Sequence, residues 1–458
     1  MKVIYIDIDS LRPDRLGVYG YHRPTSPNID RIAKEGVRFT RCYTSDSPCM
    51  PSRSAAISGR FGIRNGVVTH GDSALTQMGN IPTLPEVLRE NGVKASVIST
   101  FGRHPSPWFY VGWQEYRDPI GWRFQQTPAW KINESVISWL DDNANDDFFL
   151  WVHYWDPHAV YDSPKSLVNF MGEHSLPVDV TPEMIESHQN DHFWHCAKMM
   201  GIYSHDDYAN MINEYDAEVR YVDYYVGQLV DELDRRGILD ETMIIVASDH
   251  GEGLGENGVY VEHWSTNETV NRIPLIVKFP HSQASGSVSS SFVYQLDIPA
   301  TVCEAFHIQP PMEWDSQSLF PFTKQTDLEK RSHVVVGHGL YTAQRSVVTK
   351  EWKLTRTMNG GEWKYPALQL FHLPSDPFEH NNVVLDNTDV VNRLNAHLTD
   401  WEYKFRPEVG IDPLVMVSHD GPPGLRLYGD QAEKFYQSGI PTTISLENRK
   451  PDIPINSF

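Results

Sequence analysis

The sequence predicts an α/β fold: a mostly parallel sheet sandwiched by helices, followed by a smaller C-terminal α+β domain with an antiparallel sheet. Strand and helix patterns alternate from the start of the chain to about residue 310, which is typical of a parallel sheet with helices on both faces. Two apolar runs of the kind found in buried parallel strands each end in a cluster of polar and acidic residues. Short, closely spaced strand patterns follow residue 330.

The elements of the first 155 residues follow from local patterns. The apolar run Val3–Ile8 predicts the first strand, and a Gly/Pro-rich loop leads from it to a helix over 27–36. Thr83 and Glu86 have the spacing of a capping box and predict the start of a second helix. Further patterns predict a strand at 97–100, a helix at 129–140 and a strand at 148–154.

The next segment repeats the polar strand end of the first. A long amphipathic helix is predicted over 208–236, with buried strands at 243–247 and 273–279. Asp249 and His250 follow the earlier of these strands, as Asp7 and Asp9 close the first strand of the chain. Ligand sites of parallel α/β sheets lie beyond the carboxyl ends of the strands. We therefore expect these two strand ends to meet in space.

The remaining residues change character and predict a second, smaller unit. Strand patterns at 334–336, 346–349 and 353–355 predict a small antiparallel sheet, and a helix is predicted over 390–405. We therefore divide the chain into a larger α/β domain, 1–325, and a C-terminal unit, 326–458, made of this sheet and an irregular tail.

Composition excludes several classes of partner. The chain has 458 residues with 60 acidic and 39 basic side chains, a formal net charge of −21. Nucleic-acid binding normally requires the opposite sign, so no nucleic-acid partner is predicted. No run approaches the ~18 apolar residues of a membrane span, so no membrane partner is predicted either. The chain as written predicts a cytoplasmic protein, or a periplasmic one if a leader is removed.

One of the four cysteines stands in an unusual segment, Cys49-Met50-Pro51-Ser52-Arg53. Pro51 suits the first turn of a helix, so Cys49 is expected just ahead of a helix N-terminus, where backbone N–H groups favour an anion. Arg53 lies one turn further and is expected to hold a charged or hydrated group at position 49. The other cysteines, Cys42, Cys196 and Cys303, predict reduced and mostly buried thiols.

This C-x-P-S-R segment resembles that of the type I sulfatases, members of the alkaline-phosphatase-like superfamily. The resemblance implies that Cys49 is oxidised to Cα-formylglycine by a formylglycine-generating or anaerobic sulfatase-maturing enzyme. The aldehyde hydrates to a gem-diol; one hydroxyl attacks sulfur, and loss of the proton from the other expels sulfate and restores the aldehyde. Direct attack by Ser or Cys would instead leave a stable covalent ester.

The resemblance also implies a divalent cation, with Ca²⁺ as the family expectation. Asp9 matches the first carboxylate of the family's N-terminal metal segment, and Asp249-His250 resembles the second metal segment. Ser10 stands where a second aspartate is common, so Asp7 is its candidate substitute on the same strand face. Oxygen ligands from these carboxylates and from residue 49 suit a hard cation, whereas His250 is a softer ligand.

Four further residues are implied to contact sulfate or the leaving group. Arg103 and His104 fall where the family has a Gly-Lys-x-His segment, with Arg in place of Lys. His158 belongs to a D-P-H segment and is expected near the leaving-group oxygen, a role that His104 could also fill. His263 stands where many members carry a sulfate-binding lysine, and its charge depends on pH.

Together these residues predict a sulfatase that hydrolyses a sulfate ester or sulfamate of a carbohydrate. The proposed substrate is a sulfated small molecule or saccharide. A phosphodiesterase or phosphonate monoester hydrolase on the same fold is an alternative, because phosphate and sulfate are nearly isosteric. A second alternative is a sulfated-glycan binder without catalysis.

Overall fold

The structure is a computed structural model. It describes residues 1–454 except 71–77, 79–80, 104–105, 120–126, 173–175, 177–179, 190–193, 200, 325–330, 364, 408–409 and 425–449. No helix among these residues is long and apolar enough to cross a membrane.

The described residues form the strands and helices that follow. The strands are β1 Lys2–Ile8, β2 Val37–Tyr43, β3 Asp46–Ser47, β4 Lys94–Ile98, β5 Glu115–Arg117, β6 Phe148–Tyr154, β7 Thr242–Ser248, β8 Arg272–Lys278, β9 Ser287–Tyr294, β10 Val334–His338, β11 Ala343–Val348, β12 Trp352–Asn359 and β13 Leu368–His372. The helices are α1 Pro27–Lys34, α2 Cys49–Ser58, α3 Gly62–Asn65, α4 Leu84–Glu90, α5 Ala129–Asn143, α6 Lys165–Met171, α7 Pro182–His188, α8 Trp194–Met199, α9 His205–Arg235, α10 Glu268–Asn271, α11 Ile298–Ala305, α12 Thr388–Phe405 and α13 Pro413–Asp420.

The large sheet has eight strands in the order β5-β4-β6-β1-β7-β8-β2-β9. Its central strand, β1, pairs in parallel with β6 and β7. Strand β8 runs antiparallel to both of its neighbours, so the sheet is mixed rather than wholly parallel. The prediction of a mostly parallel sheet between helices is confirmed.

Both faces of the large sheet are covered, as β1 shows. Ile4, Ile6 and Ile8 pack in one apolar cluster with α5 and α9, while Val3 and Tyr5 pack in another with α4 and α11. All five side chains are fully buried. Successive side chains of a strand point to opposite faces, so a strand that is apolar throughout must be buried on both sides.

The smaller sheet has the order β13-β12-β11-β10-β3. Strands β10 to β13 pair in antiparallel fashion, as predicted. The edge strand β3 was not predicted: it belongs to the N-terminal part of the chain and pairs in parallel with β10, aligning Asp46 with Gly337 and Ser47 with His338. The smaller sheet thus includes the residues just before Cys49, while the boundary at residue 325 stays a prediction.

The loop after β1 is held against α9 by a buried charge. Asp216, fully buried on α9, accepts hydrogen bonds from Arg23 Nη1 at 2.5 Å and Tyr21 Oη at 2.5 Å. Arg15 Nη1 lies 3.4 Å from its other oxygen. Three side chains of one loop therefore depend on a single carboxylate, and this loop begins at the residues that close β1.

We predict that Asp216→Ala lowers the free energy of unfolding by about 3–5 kcal/mol, because it leaves buried guanidinium groups unpaired. Asp231→Ala on the same helix is the matched control. Asp231 pairs with Arg31 at an exposed site, and its loss should change stability by less than about 1 kcal/mol. Urea unfolding followed by circular dichroism measures both; equal effects would contradict the assigned role of Asp216.

Candidate active site

The polar ends of β1 and β7 meet at one edge of the large sheet. The register aligns Asp7 with Ala247 and Ile8 with Ser248, which places Asp9 beside Asp249. The two ends are also tied directly, since the Ser10 amide donates to Asp249 Oδ1 at 3.2 Å. Neighbouring parallel strands end at the same edge, so the topology alone brings these residues together.

Helix α2 delivers Cys49 and Arg53 to this edge. Cys49 is the first residue of the helix rather than the residue before it, and every residue of α2 is buried. Pro51 lies in the first turn, as predicted. Ser52 fixes the helix by donating its hydroxyl to the Asp249 carbonyl, 2.7 Å away, or to Gln295 Oε1, 2.6 Å away.

Arg53 lies at the centre of three buried carboxylates. Its Nε donates to Asp7 Oδ2 at 2.8 Å, and its Nη1 donates to Asp9 Oδ2 at 3.0 Å and Asp249 Oδ2 at 2.7 Å. All four side chains are inaccessible to solvent. The guanidinium also lies over the Phe101 ring, 4.5 Å from its centroid. Arg53 was expected to hold residue 49; its hydrogen bonds instead join the carboxylates around that residue.

The pKa values of two carboxylates around Arg53, Asp9 and Asp249, shift in opposite directions. Burial alone would raise the pKa of Asp9, but the Arg53 charge and the neighbouring histidines bring it well below its ordinary value. Burial raises the pKa of Asp249 well above its ordinary value; Arg53 opposes this, while Asp9 and Asp7 add to it. One cation therefore does not balance three buried acids, and the cluster favours additional positive charge.

The Cys49 thiol faces His250. Its Sγ lies 3.1 Å from His250 Nε2, while His250 Nδ1 lies 2.8 Å from the Gly251 carbonyl. A carbonyl only accepts, so Nδ1 carries the proton and Nε2 directs a lone pair at the sulfur. Burial lowers the pKa of His250 to about 4, so the imidazole is neutral at pH 7.

The Cys49 thiol itself is a poor nucleophile. Burial raises its pKa well above the ordinary value, and the charges of Asp9 and Asp249 raise it further. Since the thiolate is the reactive form of cysteine, this environment suppresses ordinary thiol chemistry at neutral pH.

The same residues fit a divalent cation. Asp9, Cys49, Asp249 and His250 each offer one ligand atom, and these atoms lie within 4.8 Å of one another. Asp7 Oδ1 is buried and has no hydrogen-bond partner among the described residues. Carboxylate oxygens are the ligands that Ca²⁺ and Mg²⁺ prefer, and the unbalanced acidity of the cluster favours such an ion.

The ring of His263 lies between those of His250 and His158. The rings of His250 and His263 are 4.1 Å apart, and those of His263 and His158 are 6.2 Å apart. Burial lowers the pKa of His263 well below its ordinary value, and the neighbouring histidines lower it further. In this environment His263 is a neutral hydrogen-bonding group at pH 7 rather than a replacement for a lysine charge.

The remaining predicted contacts are only partly described. Arg103 ends the 3-10 turn Phe101–Arg103, but its side chain lies outside what the structure describes. His104 lies outside the described residues altogether. Their roles therefore stay predictions.

Sequence reasoning missed His153. In the sequence it merely interrupts an apolar strand, but the register places it opposite Asp7. Its Nδ1 lies 2.9 Å from Ser99 Oγ, and its Nε2 lies 3.6 Å from Asp9 Oδ2. The signal was present, because a histidine inside a fully buried strand requires a polar partner.

His338, also missed, reaches the site from the smaller sheet. Its Nε2 accepts from the Tyr341 amide at 3.2 Å, so its Nδ1 donates to Ser47 Oγ at 2.9 Å. Ser47 stands two residues before Cys49, so the smaller sheet helps to position the segment that leads into α2. The contact spans 291 residues of sequence, and no local pattern indicates it.

Comparison with known proteins gives the family. The family model described as "Sulfatase" matches residues 2–308, about two thirds of the chain. This chain belongs to the sulfatase family. As a family member the protein is a sulfuric ester hydrolase, and the resemblance inferred from the C-x-P-S-R segment is confirmed. A second model, "N-sulphoglucosamine sulphohydrolase, C-terminal", matches residues 255–404.

Similar sulfatases span most of the chain. The N-acetylglucosamine-6-O-sulfatase of Bacteroides thetaiotaomicron is 25% identical over 467 residues, covering 83% of this chain and 82% of that protein. The human iduronate 2-sulfatase is 25% identical, covering 72% of this chain and 66% of that protein.

Solved structures establish the shared fold. A structure described as a complex with its substrate D-glucosamine-2-N,6-O-disulfate has a TM-score of 0.74 at 21% identity, covering 88% of this chain and 98% of that chain. The phosphonate monoester hydrolase of Agrobacterium radiobacter has a TM-score of 0.70 at 17% identity, covering 88% and 96%. The fold by itself therefore does not choose between sulfate and phosphonate substrates.

We predict that Arg53→Lys lowers kcat for sulfate release by about 100-fold or more, the scale of removing one charge-stabilising group from an active site. A lysine ammonium cannot bond three carboxylates in the planar geometry of guanidinium. Arg64→Lys on α3 is the control, because Arg64 is partly exposed and pairs with Asp315 away from the cluster. Similar activity in both variants would contradict the central position of Arg53.

Proposed function

We propose that this sulfatase hydrolyses a sulfate ester or sulfamate of a carbohydrate, using a formylglycine made from Cys49 and a bound Ca²⁺. The observation that carries the proposal is the setting of Cys49. Cys49 begins a buried helix and its thiol faces a neutral His250. Its sulfur lies within 4.8 Å of carboxylate oxygens of Asp9 and Asp249. This setting suppresses thiolate formation, and it suits an oxygen side chain beside a cation.

The cation and the modified residue 49 would each supply a defined chemistry. The cation would supply Lewis acidity, and the hydrated aldehyde would supply two hydroxyls on one carbon.

The protein's own residues hold and neutralise the reacting groups. We assign Asp9, Asp249 and His250 to the cation. Asp7 Oδ1, which has no hydrogen-bond partner in the described part of the chain, is assigned as an additional ligand. Arg53 compensates the charge of these acids through its three hydrogen bonds. Because these contacts are buried and fixed before substrate arrives, they require little reorganisation during the reaction.

We assign the sulfate and the leaving group to the part of the site that contains His158 and His263. We propose that His263, with Arg103 and His104, binds the sulfate oxygens and stabilises charge that develops there. His158 is proposed to protonate the departing alcohol oxygen. Its Nδ1 donates to the Ala159 carbonyl at 2.6 Å, which fixes the orientation of the ring.

Relatives support the carbohydrate class of substrate. The similar proteins named above act, by their names, on N-acetylglucosamine 6-sulfate and iduronate 2-sulfate groups. Assay of the matured protein against sulfated saccharides, an aryl sulfate and a phosphate diester tests the proposal. Preferred turnover of the diester would support the phosphodiesterase alternative, and binding of sulfated glycans without turnover would support the non-catalytic alternative.

We predict that the peptide spanning residue 49 of active protein has the mass of an aldehyde rather than a thiol, and that Cys49→Ala abolishes sulfate release without unfolding the chain. Mass spectrometry and a sulfate assay measure these outcomes. Cys303→Ala is the control, because Cys303 is also a buried thiol but belongs to α11. Full activity with an unmodified Cys49 would contradict the proposed maturation by a dedicated enzyme.

We predict that removing divalent cations with EDTA abolishes sulfate release and that Ca²⁺ restores it, because three buried acids then lose their second source of positive charge. Asp249→Asn should raise the Ca²⁺ concentration needed for half-maximal activity. Restoring activity with Ca²⁺, Mg²⁺, Mn²⁺ or Zn²⁺ in turn identifies the preferred ion, since His250 also suits softer metals. Undiminished activity in protein shown to be metal-free by elemental analysis would overturn the assignment.

A further inference from the structure

The segment that carries His158 lies between β6 and α6 and contacts α9. It runs from Asp156 to Asp162, and both of its ends are anchored to helices. Asp156 Oδ2 accepts from the Ala129 amide at the start of α5 at 2.8 Å, and the Asp162 amide donates to Glu218 Oε1 on α9 at 2.7 Å. The segment is thus a loop whose two ends must be fixed for His158 to keep its place.

Lys450 closes this loop from the far end of the sequence. Its Nζ lies 2.6 Å from Asp156 Oδ1, 2.5 Å from Asp162 Oδ1 and 2.5 Å from Glu218 Oε2. Only 8% of the lysine side chain is exposed. The three donors of one ammonium therefore match three carboxylates, and two of these belong to the ends of the loop.

The neighbours of Lys450 are also bound to the catalytic part of the chain. Ile453 is buried in the apolar cluster that contains α5 and α9. Asp452 accepts a hydrogen bond from Ser166 Oγ at the start of α6. The contact of Lys450 is therefore part of a packed surface rather than an isolated ion pair.

The charges show why the lysine matters to the loop. Burial raises the pKa of Glu218 to about 8, with Asp156 and Asp162 adding to the rise and Lys450 opposing it. Burial would lower the pKa of Lys450, but the three acids raise it above its ordinary value. Without the ammonium, Asp156 and Asp162 would lose the cation that they share, which favours opening of the loop.

We propose that Lys450 is a positioning residue for His158, holding both ends of the 156–162 segment so that the imidazole stays aligned with the leaving-group oxygen. The role of His158 as proton donor rests on the proposed function. Residue 450 lies beyond both matched family models, which end at residues 308 and 404. The residues matched by the two family models therefore do not include this contact.

The test compares kcat for two substrates with different leaving groups, because a loss of His158 alignment affects only the substrate that needs a proton donor, whereas a general loss of stability affects both. An alkyl oxygen of a sugar needs a proton to depart, whereas 4-nitrophenolate does not. Lys450→Met should lower kcat for a saccharide sulfate by about 10-fold or more and kcat for 4-nitrophenyl sulfate by less than about 3-fold, with KM little changed. His158→Ala should also lower kcat for the saccharide sulfate much more than kcat for 4-nitrophenyl sulfate. Lys450→Arg, which keeps the positive charge, should retain most of the wild-type kcat on both.

Lys404→Met is the matched control, because Lys404 is an exposed lysine beside an aromatic ring and its loss should alter neither rate. Equal losses on both substrates, or none on either, would overturn the proposal. If wild-type protein hydrolyses neither sulfate, the proposed function fails, and positioning is then judged by hydrogen exchange alone. Lys450→Met should speed hydrogen exchange of the backbone amides in 156–162, and unchanged exchange would refute the role of Lys450 in holding this segment.

If Lys450→Met does not fold, Asp162→Asn provides the same test with a smaller perturbation. Asp162 has the most exposed side chain of the three acids, at 24%. Its substitution removes the ion pair with Lys450 at one end of the segment and should produce the same substrate-dependent loss of kcat. An equal effect on both sulfates would overturn the proposal in this variant as well.

Discussion

The site depends on one buried guanidinium shared by three carboxylates. Arg53 joins helix α2 to the ends of β1 and β7 through Asp7, Asp9 and Asp249, so α2 cannot move without breaking charge-assisted hydrogen bonds. Burying these groups carries a large desolvation cost that only good geometry offsets. The charges also do not cancel, which makes the cluster a place for a further cation rather than a closed structural ion pair.

The smaller sheet is part of the same construction. Strand β3 ends two residues before Cys49 and is paired with β10. His338 then fixes Ser47 through a ring whose two nitrogens have defined roles. The approach to the helix is therefore held from one side by the smaller sheet and from the other by Arg53. Residues after position 330 therefore help to position the segment that leads to Cys49.

The sequence predicted what depends on local pattern and on the rules of parallel sheets. Phe148–Tyr154 matches its predicted strand. Asp9, Asp249 and His250 come together because the ends of β1 and β7 converge, and helix α2 brings Cys49 to them. His338 and Lys450 were not predicted as parts of the site, because their partners lie hundreds of residues away and no periodicity marks them. The direction of the Arg53 side chain was also not predictable, since it depends on three acids that only the folded sheet assembles.

The central claim is that residue 49 presents oxygen to a cation held by the acids around Arg53. The most direct test of this claim is a crystal structure of the active protein. The crystals are grown with Ca²⁺, and anomalous scattering locates the ion. The account predicts an ion about 2.3–2.6 Å from oxygens of Asp9 and Asp249, with an oxygen-bearing side chain at residue 49 in contact with it. An intact thiol and no ion at this position, in protein that hydrolyses sulfate esters, would contradict it.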